Sequence, residues 1–240
     1  MSDDSAGALH PSPLVLLANE DDNVAAFLTY ILGQMGLQVL RETDGRRLAD
    51  RLRELTPAVL LLESRAPGID VRTLCARIRL EKRTRSTVIL VLLASGDERH
   101  QNEILASGAD ECLARPLVPE KLVASIRAAL QESDPLPNSG GPQQLTFRDL
   151  EIDLAAYLVR RNGRVIHLAP TEFRLLLHLM KNPHRVHSRN ELQIAAWPRV
   201  IHVGSRTVDV HIGRLRHALR SVGGSDLIRT VRSVGYALSD

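Results

Sequence analysis

The sequence predicts two globular domains of different classes. The first is an α/β domain built on a doubly wound, flavodoxin-like, five-stranded parallel sheet, and the second is a small α+β winged helix-turn-helix domain. Three observations predict this division: aliphatic runs alternating with amphipathic segments, a Pro-, Gly- and Ser-rich stretch at 133–144, and short alternating segments followed by helices after it. We predict a flexible N-terminus at 1–13, the α/β domain at 14–132, a linker at 133–144 and the winged-helix domain at 145–240.

Five aliphatic runs mark the predicted strands of the first domain. They are LVLLA (14–18), LQVL (37–40), AVLLLE (58–63), TVILVLLA (87–94) and ECLAR (111–115). Continuous apolar runs are typical of parallel strands that helices cover on both faces. In such sheets, functional groups gather at the carboxyl ends of the strands. Asn19, Glu20 and Asp21 follow the first strand and Glu63 ends the third, so these four residues are candidates for a site.

The second half changes to short alternating segments between residues 145 and 168, with Asn162-Gly163 as a hairpin signal. Three helices are predicted next. Thr171 is the candidate cap of the first helix, Ser188 and Glu191 form a capping box for the second, and the third spans 205–220. The chain ends in two β-prone runs around a turn, which predict a terminal hairpin.

Charge is distributed unevenly between the two halves. Residues 1–134 contain 16 Lys and Arg against 20 Asp and Glu, a net charge of −4, and residues 135–240 contain 15 against 8, a net charge of +7. A basic domain favours a nucleic-acid partner, although a merely solvated surface would also produce this excess.

Composition also argues against several protein classes. No apolar run approaches the roughly 20 residues that span a bilayer, and the first residues are not those of a signal peptide. Cys75 and Cys112 lack metal-ligand spacing, so we expect reduced thiols and a cytoplasmic location. The histidines likewise show no metal-site spacing. We predict no membrane contact, no metal, no cofactor and no catalytic residues.

The third helix separates into two faces. Val208, Ile212, Leu215 and Leu219 form a predicted core stripe. The opposite, predicted exposed face contains Arg206, Thr207, Val210, His211 and Arg214. Guanidinium groups, a threonine and an apolar side chain suit phosphates, guanine edges and thymine methyl groups. The alternative is a salt-bridged surface helix, but Asp209 is its only acidic residue.

Residues 14–131 resemble the receiver domain of OmpR/PhoB-type bacterial response regulators, through Pro67-Gly68, Gly108-Ala109-Asp110 and Arg115-Pro116. The resemblance implies a pocket in which an acidic pair binds Mg²⁺, an aspartate accepts a phosphoryl group, and Thr/Ser and Lys contact its oxygens. In this sequence those positions hold Asn19 and Glu20, Glu63, Leu93 and Arg115.

These replacements have chemical consequences. A neutral Asn19 removes a carboxylate ligand, so Mg²⁺ binding should be weak or absent, with Glu20 and Asp21 or Glu63 as the remaining ligands. Leu93 cannot donate a hydrogen bond. Arg115 suits a two-pronged contact with Glu63, the residue at the phosphoacceptor position. The alternative places Glu63 in solvent.

The second half resembles the OmpR/PhoB DNA-binding domain through PTEFRLLLHLM, RTVDVHIGRLRHAL and IRTVRSVGYAL. The resemblance implies DNA contacts by Arg206, Thr207, Val210, His211, Arg214 and Arg216 from the helix, and by Thr230 and Arg232 from the wing. It also implies that the loop containing Trp197 and Arg199 meets the RNA polymerase sigma subunit. The alternative for Trp197 is a core position.

The function predicted is therefore sequence-specific regulation of transcription at repeated promoter sites, without aspartyl phosphorylation. Two alternatives share this fold: a regulator switched by phosphorylation, and one in which Glu63 is a constitutive mimic of phosphoaspartate. A nucleotide- or flavin-binding enzyme is a third, although no Gly-rich loop follows the first strand. The dimer contacts implied by the resemblance depend on residues that this sequence replaces, so a homodimer would need a different interface.

Overall fold

The computed structural model describes residues 12–130, 144–154, 156, 158–197 and 205–239. Residues 1–11 and 131–143, which contain most of the predicted N-terminal segment and linker, lie outside this description. The two domains themselves are described on either side of that linker.

The first domain is a five-stranded parallel sheet in the order β2-β1-β3-β4-β5, as predicted. Its strands are β1 Leu14–Ala18, β2 Gln38–Glu42, β3 Val59–Glu63, β4 Val88–Leu92 and β5 Glu111–Leu113. Its helices are α1 Asp22–Gln34, α2 Gly45–Leu55, α3 Val71–Leu80, α4 Gln101–Ser107 and α5 Pro119–Leu130. Helices α1 and α5 cover one face of the sheet and α2, α3 and α4 cover the other, so the strands are buried on both faces.

The second domain has two small antiparallel sheets flanking three helices. Its strands are β6 Gln144–Phe147, β7 Leu150–Asp153, β8 Leu158–Arg161, β9 Arg164–Ile166, β10 His187–Ser188, β11 Ile228–Val231 and β12 Gly235–Leu238. Its helices are α6 Pro170–Lys181, α7 Arg189–Ala196 and α8 Ser205–Arg220. Strands β11 and β12 form the terminal hairpin, called the wing below.

The second domain has its own hydrophobic core. All the buried residues of this cluster lie between Phe147 and Leu238, with α8 contributing the predicted stripe of Val208, Ile212, Leu215 and Leu219. Among the described residues, none of the first domain belongs to this cluster, so the second domain has the apolar burial needed to fold as a separate unit.

Two helix-capping residues were predicted, and the structure confirms one of them. The capping box at Ser188 and Glu191 is confirmed, because each side chain meets the backbone N–H of the other residue. The prediction that Thr171 caps α6 is wrong. The helix begins one residue earlier, with Pro170 in its first turn and Ala169 at the cap position, and Thr171 is fully buried.

Both cysteines are free thiols, as predicted. Burial raises the pKa of the Cys75 thiol to about 12, so it is un-ionised near neutral pH. Among the helices described, none is long and apolar enough to cross a membrane.

Candidate receiver pocket and nucleic-acid interface

A small cavity lies at the carboxyl edge of the parallel sheet, the edge at which the sequence predicts the phosphoacceptor position. Its volume is about 30 Å³, and its lining includes Asn19, Glu20, Glu42 and Glu63. The sheet order places the ends of β1 and β3 side by side, which brings these side chains together.

Glu63 forms an ion pair with Arg115 across this edge, through Oε1 and a guanidinium N–H. The predicted ion pair is confirmed, but the contact joins one nitrogen to one oxygen, so the predicted two-pronged geometry is not observed. The alternative in which Glu63 points into solvent without a partner is wrong. The two side chains remain 25% and 34% exposed, so water weakens the attraction between them.

Two other acidic groups at this edge already have partners. The Asp21 carboxylate accepts the backbone N–H groups of Asn23 and Val24 at 2.9 and 3.1 Å, so it caps α1. Asp21 is not part of the cavity lining, so its predicted position in the pocket is wrong. The carboxylate of Glu42 accepts the Asp44 N–H at 3.0 Å.

Arg41 is hydrogen-bonded to the backbone carbonyl oxygens of the two residues that follow β1. Its guanidinium donates to the carbonyl oxygens of Asn19 and Glu20 at 2.9 and 2.8 Å, and to Asp22 at 2.6 Å. The sequence did not single out Arg41, because its position on β2 becomes informative only when β2 lies beside β1.

These residues do not fit a Mg²⁺ ion. Asn19 is neutral and buried, and its side-chain amide has no hydrogen-bond partner in the described part of the chain. Glu63 is neutralised by Arg115, and Asp21 is committed to α1. Glu20 is then the one remaining member of the predicted ligand set, which is too little negative charge for a divalent cation.

The structure also corrects the position predicted for Leu93. Its side chain is fully buried in the core beneath α3 and α4, so it does not line the pocket. The polar contacts between the loops after β3 and β4 are made instead by Ser64, which donates to Asp97 at 2.7 Å and accepts the N–H of Ala94 at 2.9 Å. Arg65 also contacts Asp97, at 2.7 Å. No spacing in the sequence indicated this network.

The predicted DNA-reading face of α8 packs against the first domain. Val210 lies against the core cluster beneath α3 and α4. His211 is fully buried, with Nε2 3.0 Å from the carbonyl oxygen of Asp110 and Nδ1 2.9 Å from Glu172. Thr207 is also buried, at 2% exposure. The prediction that this face is exposed is wrong for this arrangement of the domains.

Arg214 is held at the same interface. One guanidinium N–H donates to the carbonyl oxygen of Ala109 at 2.8 Å, and Nε lies 2.9 Å from Glu172. Burial raises the pKa of Glu172, but the charge of Arg214 and the contact with His211 outweigh it and lower that pKa to about 2. Glu172 therefore stays ionised and orients both side chains.

The remaining predicted DNA contacts lie elsewhere. Arg216 donates to the carbonyl oxygen of Ile228 and, at 2.7 Å, to Thr230 of the wing. Arg232 is exposed in the turn of the wing. The side chain of Arg206 lies outside the described residues.

Trp197 is buried in the second core, with its ring 5.2 Å from that of His211, so its core alternative is confirmed. Arg199 lies outside the described residues. The predicted polymerase contact is therefore not described in this structure beyond the position of Trp197.

Two further charged groups lie where β5 meets the second domain. Asp110 pairs with Arg79 of α3 and lies 3.5 Å from the Thr171 hydroxyl of α6. Burial raises the pKa of Glu111 to about 7, against smaller opposing effects of the Ser125 hydroxyl and the charge of Arg174 on α6. A carboxyl group is thus kept partly neutral beside the interface.

Replacing Glu111 with glutamine should stabilise the protein at pH 8. Because the folded pKa is raised, the contribution of the protonated carboxyl is fully present below the ordinary value near 4.5 and is lost as the pH rises through about 7. We expect Glu111→Gln to raise the free energy of unfolding by up to about 3 kcal/mol at pH 8, with little change at pH 4. Denaturant titrations at both pH values measure this, and the exposed Glu120→Gln is the control. Equal effects at both pH values would contradict the assignment.

Comparisons with known proteins agree with this architecture. Residues 15–127 match the family model described as the response regulator receiver domain, and residues 163–238 match the transcriptional regulatory protein C-terminal domain. The phosphate regulon transcriptional regulatory protein PhoB of Rhizobium meliloti is 37% identical over 226 residues, covering 94% of this chain and 98% of the relative. The DNA-binding response regulator MtrA of Mycolicibacterium paratuberculosis is 33% identical, covering 92% and 96%.

A solved structure of a mutant of RitR is 25% identical and superposes with a TM-score of 0.72, covering 95% of this chain and all of that one. The relatives match both domains in the same order and over nearly their full lengths. The chain belongs to the OmpR/PhoB family of DNA-binding transcriptional response regulators.

Proposed function

We propose that this regulator binds promoter DNA sequence-specifically and is controlled without aspartyl phosphorylation. The observation that carries the proposal is the ion pair of Glu63 and Arg115 at the phosphoacceptor position. A carboxylate paired with a guanidinium is a poor nucleophile, and the surrounding acidic groups lack the charge for the metal ion that phosphoryl transfer to a receiver uses.

The covered α8 face adds a requirement to this function. Val210, His211 and Arg214 cannot reach base edges while they contact the receiver, so DNA binding requires the two domains to separate. The same packing covers part of the α4 and β5 surface, so a homodimer of the closed chain would use another surface. The polymerase sigma contact, through the loop beginning at Trp197, is proposed only for the DNA-bound state.

Phosphodonors test the proposal directly. We expect acetyl phosphate or beryllofluoride with Mg²⁺ to leave the DNA affinity and the thermal unfolding temperature of the full chain unchanged. Fluorescence anisotropy with an operator selected from a random library provides the affinity. A tenfold rise in affinity after treatment would support the alternative of an ordinary phosphorylation switch.

Removing the Glu63 carboxylate separates a structural role from a phosphoaspartate mimic. Because the pair is partly exposed, we expect Glu63→Ala to cost only about 1 kcal/mol of stability, and Glu63→Ala with Arg115→Leu to recover part of that loss. DNA affinity should stay within about threefold of the original, a difference of about 0.6 kcal/mol. A tenfold loss of affinity in the folded Glu63→Ala protein would instead favour the mimic.

A further inference from the structure

A cleft of about 670 Å³ opens between the two domains, beside the packed face of α8. Helices α3 and α4 form its receiver wall, and α8 with the segment before α6 forms the opposite wall. Its volume lies within the roughly 300–1,000 Å³ typical of small-molecule sites. Nothing in the receiver pocket at the other edge of the sheet contributes to it.

The lining of this cleft is largely apolar. Leu80 at the end of α3 is 86% exposed although it lies on the wall of the cleft. Ala76 and Ala106 continue this surface on the receiver side, and Leu168 and Ala218 face it from the second domain. Single exposed leucines are common, but an apolar surface contributed by two domains around an open volume is suited to an apolar ligand.

Three basic side chains without a partner among the described residues border the same cleft. Arg85 of the receiver and His167 and His217 of the second domain line it, and none of their side chains has a hydrogen bond or ion pair with the described residues. Burial and the charges of Arg85 and Lys82 lower the pKa of His167, so the neutral imidazole is favoured and it offers a carboxylate a hydrogen bond rather than a charge.

The acidic residues of the lining do not balance the charge of Arg85. Glu172 is paired with His211 and Arg214, and Asp209 accepts hydrogen bonds from Arg189 at 2.8 Å and Tyr236 at 2.7 Å. The guanidinium of Arg85 therefore faces the cleft with no matching carboxylate among the described residues, and the two imidazoles beside it can form hydrogen bonds to an anion. The site has an apolar body and a rim made of one unpaired guanidinium and two hydrogen-bonding imidazoles.

We propose that this cleft binds a small apolar carboxylate, with Arg85 and His167 contacting the carboxylate and Leu80 and Leu168 contacting the apolar part. The ligand touches both domains at once, so it binds the closed arrangement more tightly than the open one. The effect on DNA rests on the proposed function: because closing covers the α8 face, the ligand lowers DNA affinity, and DNA lowers ligand affinity by the same factor.

Calorimetric titration of the full chain tests the site without DNA. Octanoate represents aliphatic carboxylates, 3-phenylpropanoate represents aromatic ones, and octanol is the uncharged control. We expect at least one carboxylate to bind at least tenfold more tightly than octanol, and Arg85→Ala with His167→Ala to lose at least tenfold of that affinity. Arg83→Ala, an exposed neighbour outside the lining, should bind normally. Absence of carboxylate binding, or normal binding by the double variant, would overturn the site.

Anisotropy with operator DNA tests the coupling. A saturating carboxylate should weaken DNA binding by the full chain at least fivefold and leave binding by residues 144–240, which lack the receiver wall, unchanged. Carboxylate binding with unchanged DNA affinity would overturn the coupling alone. Failure of the ligand-free chain and of residues 144–240 to bind any DNA would instead contradict the proposed function and leave the calorimetric result standing.

Discussion

Removing residues 1–143 should raise the affinity of the remaining chain for operator DNA by about 5- to 150-fold, the range of a coupling free energy of about 1–3 kcal/mol. In the full chain, His211 and Arg214 donate to carbonyl oxygens of the receiver, and these contacts must break before α8 enters a groove. The apparent dissociation constant of such a protein is the intrinsic constant divided by the fraction of open molecules. The shorter chain keeps its own core and is always open.

A charge reversal in the full chain should produce the same effect without deletion. Arg174 of α6 acts electrostatically on the buried Glu111 of the receiver, so Arg174→Glu places two carboxylates together at the interface. Lys181→Glu changes the net charge equally at the exposed end of α6 and serves as the control. Arg174→Glu should bind DNA more tightly than Lys181→Glu.

Anisotropy titrations of the four proteins at one salt concentration give the comparison, because DNA affinity depends steeply on salt. Equal affinity of the full chain and of residues 144–240 would show that the closed arrangement does not reduce the free energy of DNA binding in solution. The covered face of α8 would then have no regulatory consequence.

The parallel sheet could be predicted from the sequence because its signal is local. Continuous aliphatic runs such as Val59–Glu63 require cover on both faces, and the structure provides it from five helices. The capping box at Ser188 is equally local. Thr171 resembles a cap in sequence because threonine is a common cap residue. The prediction is wrong because Pro170 already occupies the first turn of α6 and the Thr171 hydroxyl is buried near Asp110, and neither fact is visible in the local sequence.

Of the receiver pocket, the sequence correctly predicts one contact, the ion pair of Glu63 and Arg115. Glu63 ends β3 and Arg115 follows β5 at the same edge of the sheet, so their pairing could be predicted from opposite charge and sheet topology. The exposure of His211 was mispredicted because helical periodicity distinguishes the core stripe from its opposite face but does not reveal a second domain. Val210 and His211 are compatible with either DNA or a receiver surface, and the amphipathic pattern is the same in both cases.

Replacing Arg214 with alanine should therefore have a different effect in the two forms of the protein. In residues 144–240 the guanidinium is a predicted base contact, so Arg214→Ala should weaken specific binding by about 1–3 kcal/mol and relax the preference at one operator position. In the full chain the same change also removes hydrogen bonds to the carbonyl oxygens of Ala109 and Leu105, which favours the open form.

The measured loss in the full chain should be smaller than the loss in residues 144–240, because part of the missing DNA contact is offset by easier opening. Arg232 provides the matched control: it is exposed in the wing and has no described contact with the receiver, so Arg232→Ala should cost the same in both forms. Titrating the full chain and residues 144–240 against one operator, each with and without Arg214→Ala, gives the difference between the two losses as a double-mutant cycle. If Arg214→Ala weakens both forms equally, the hydrogen bonds of Arg214 to the receiver do not contribute to keeping the protein closed, and other contacts at the interface must do so.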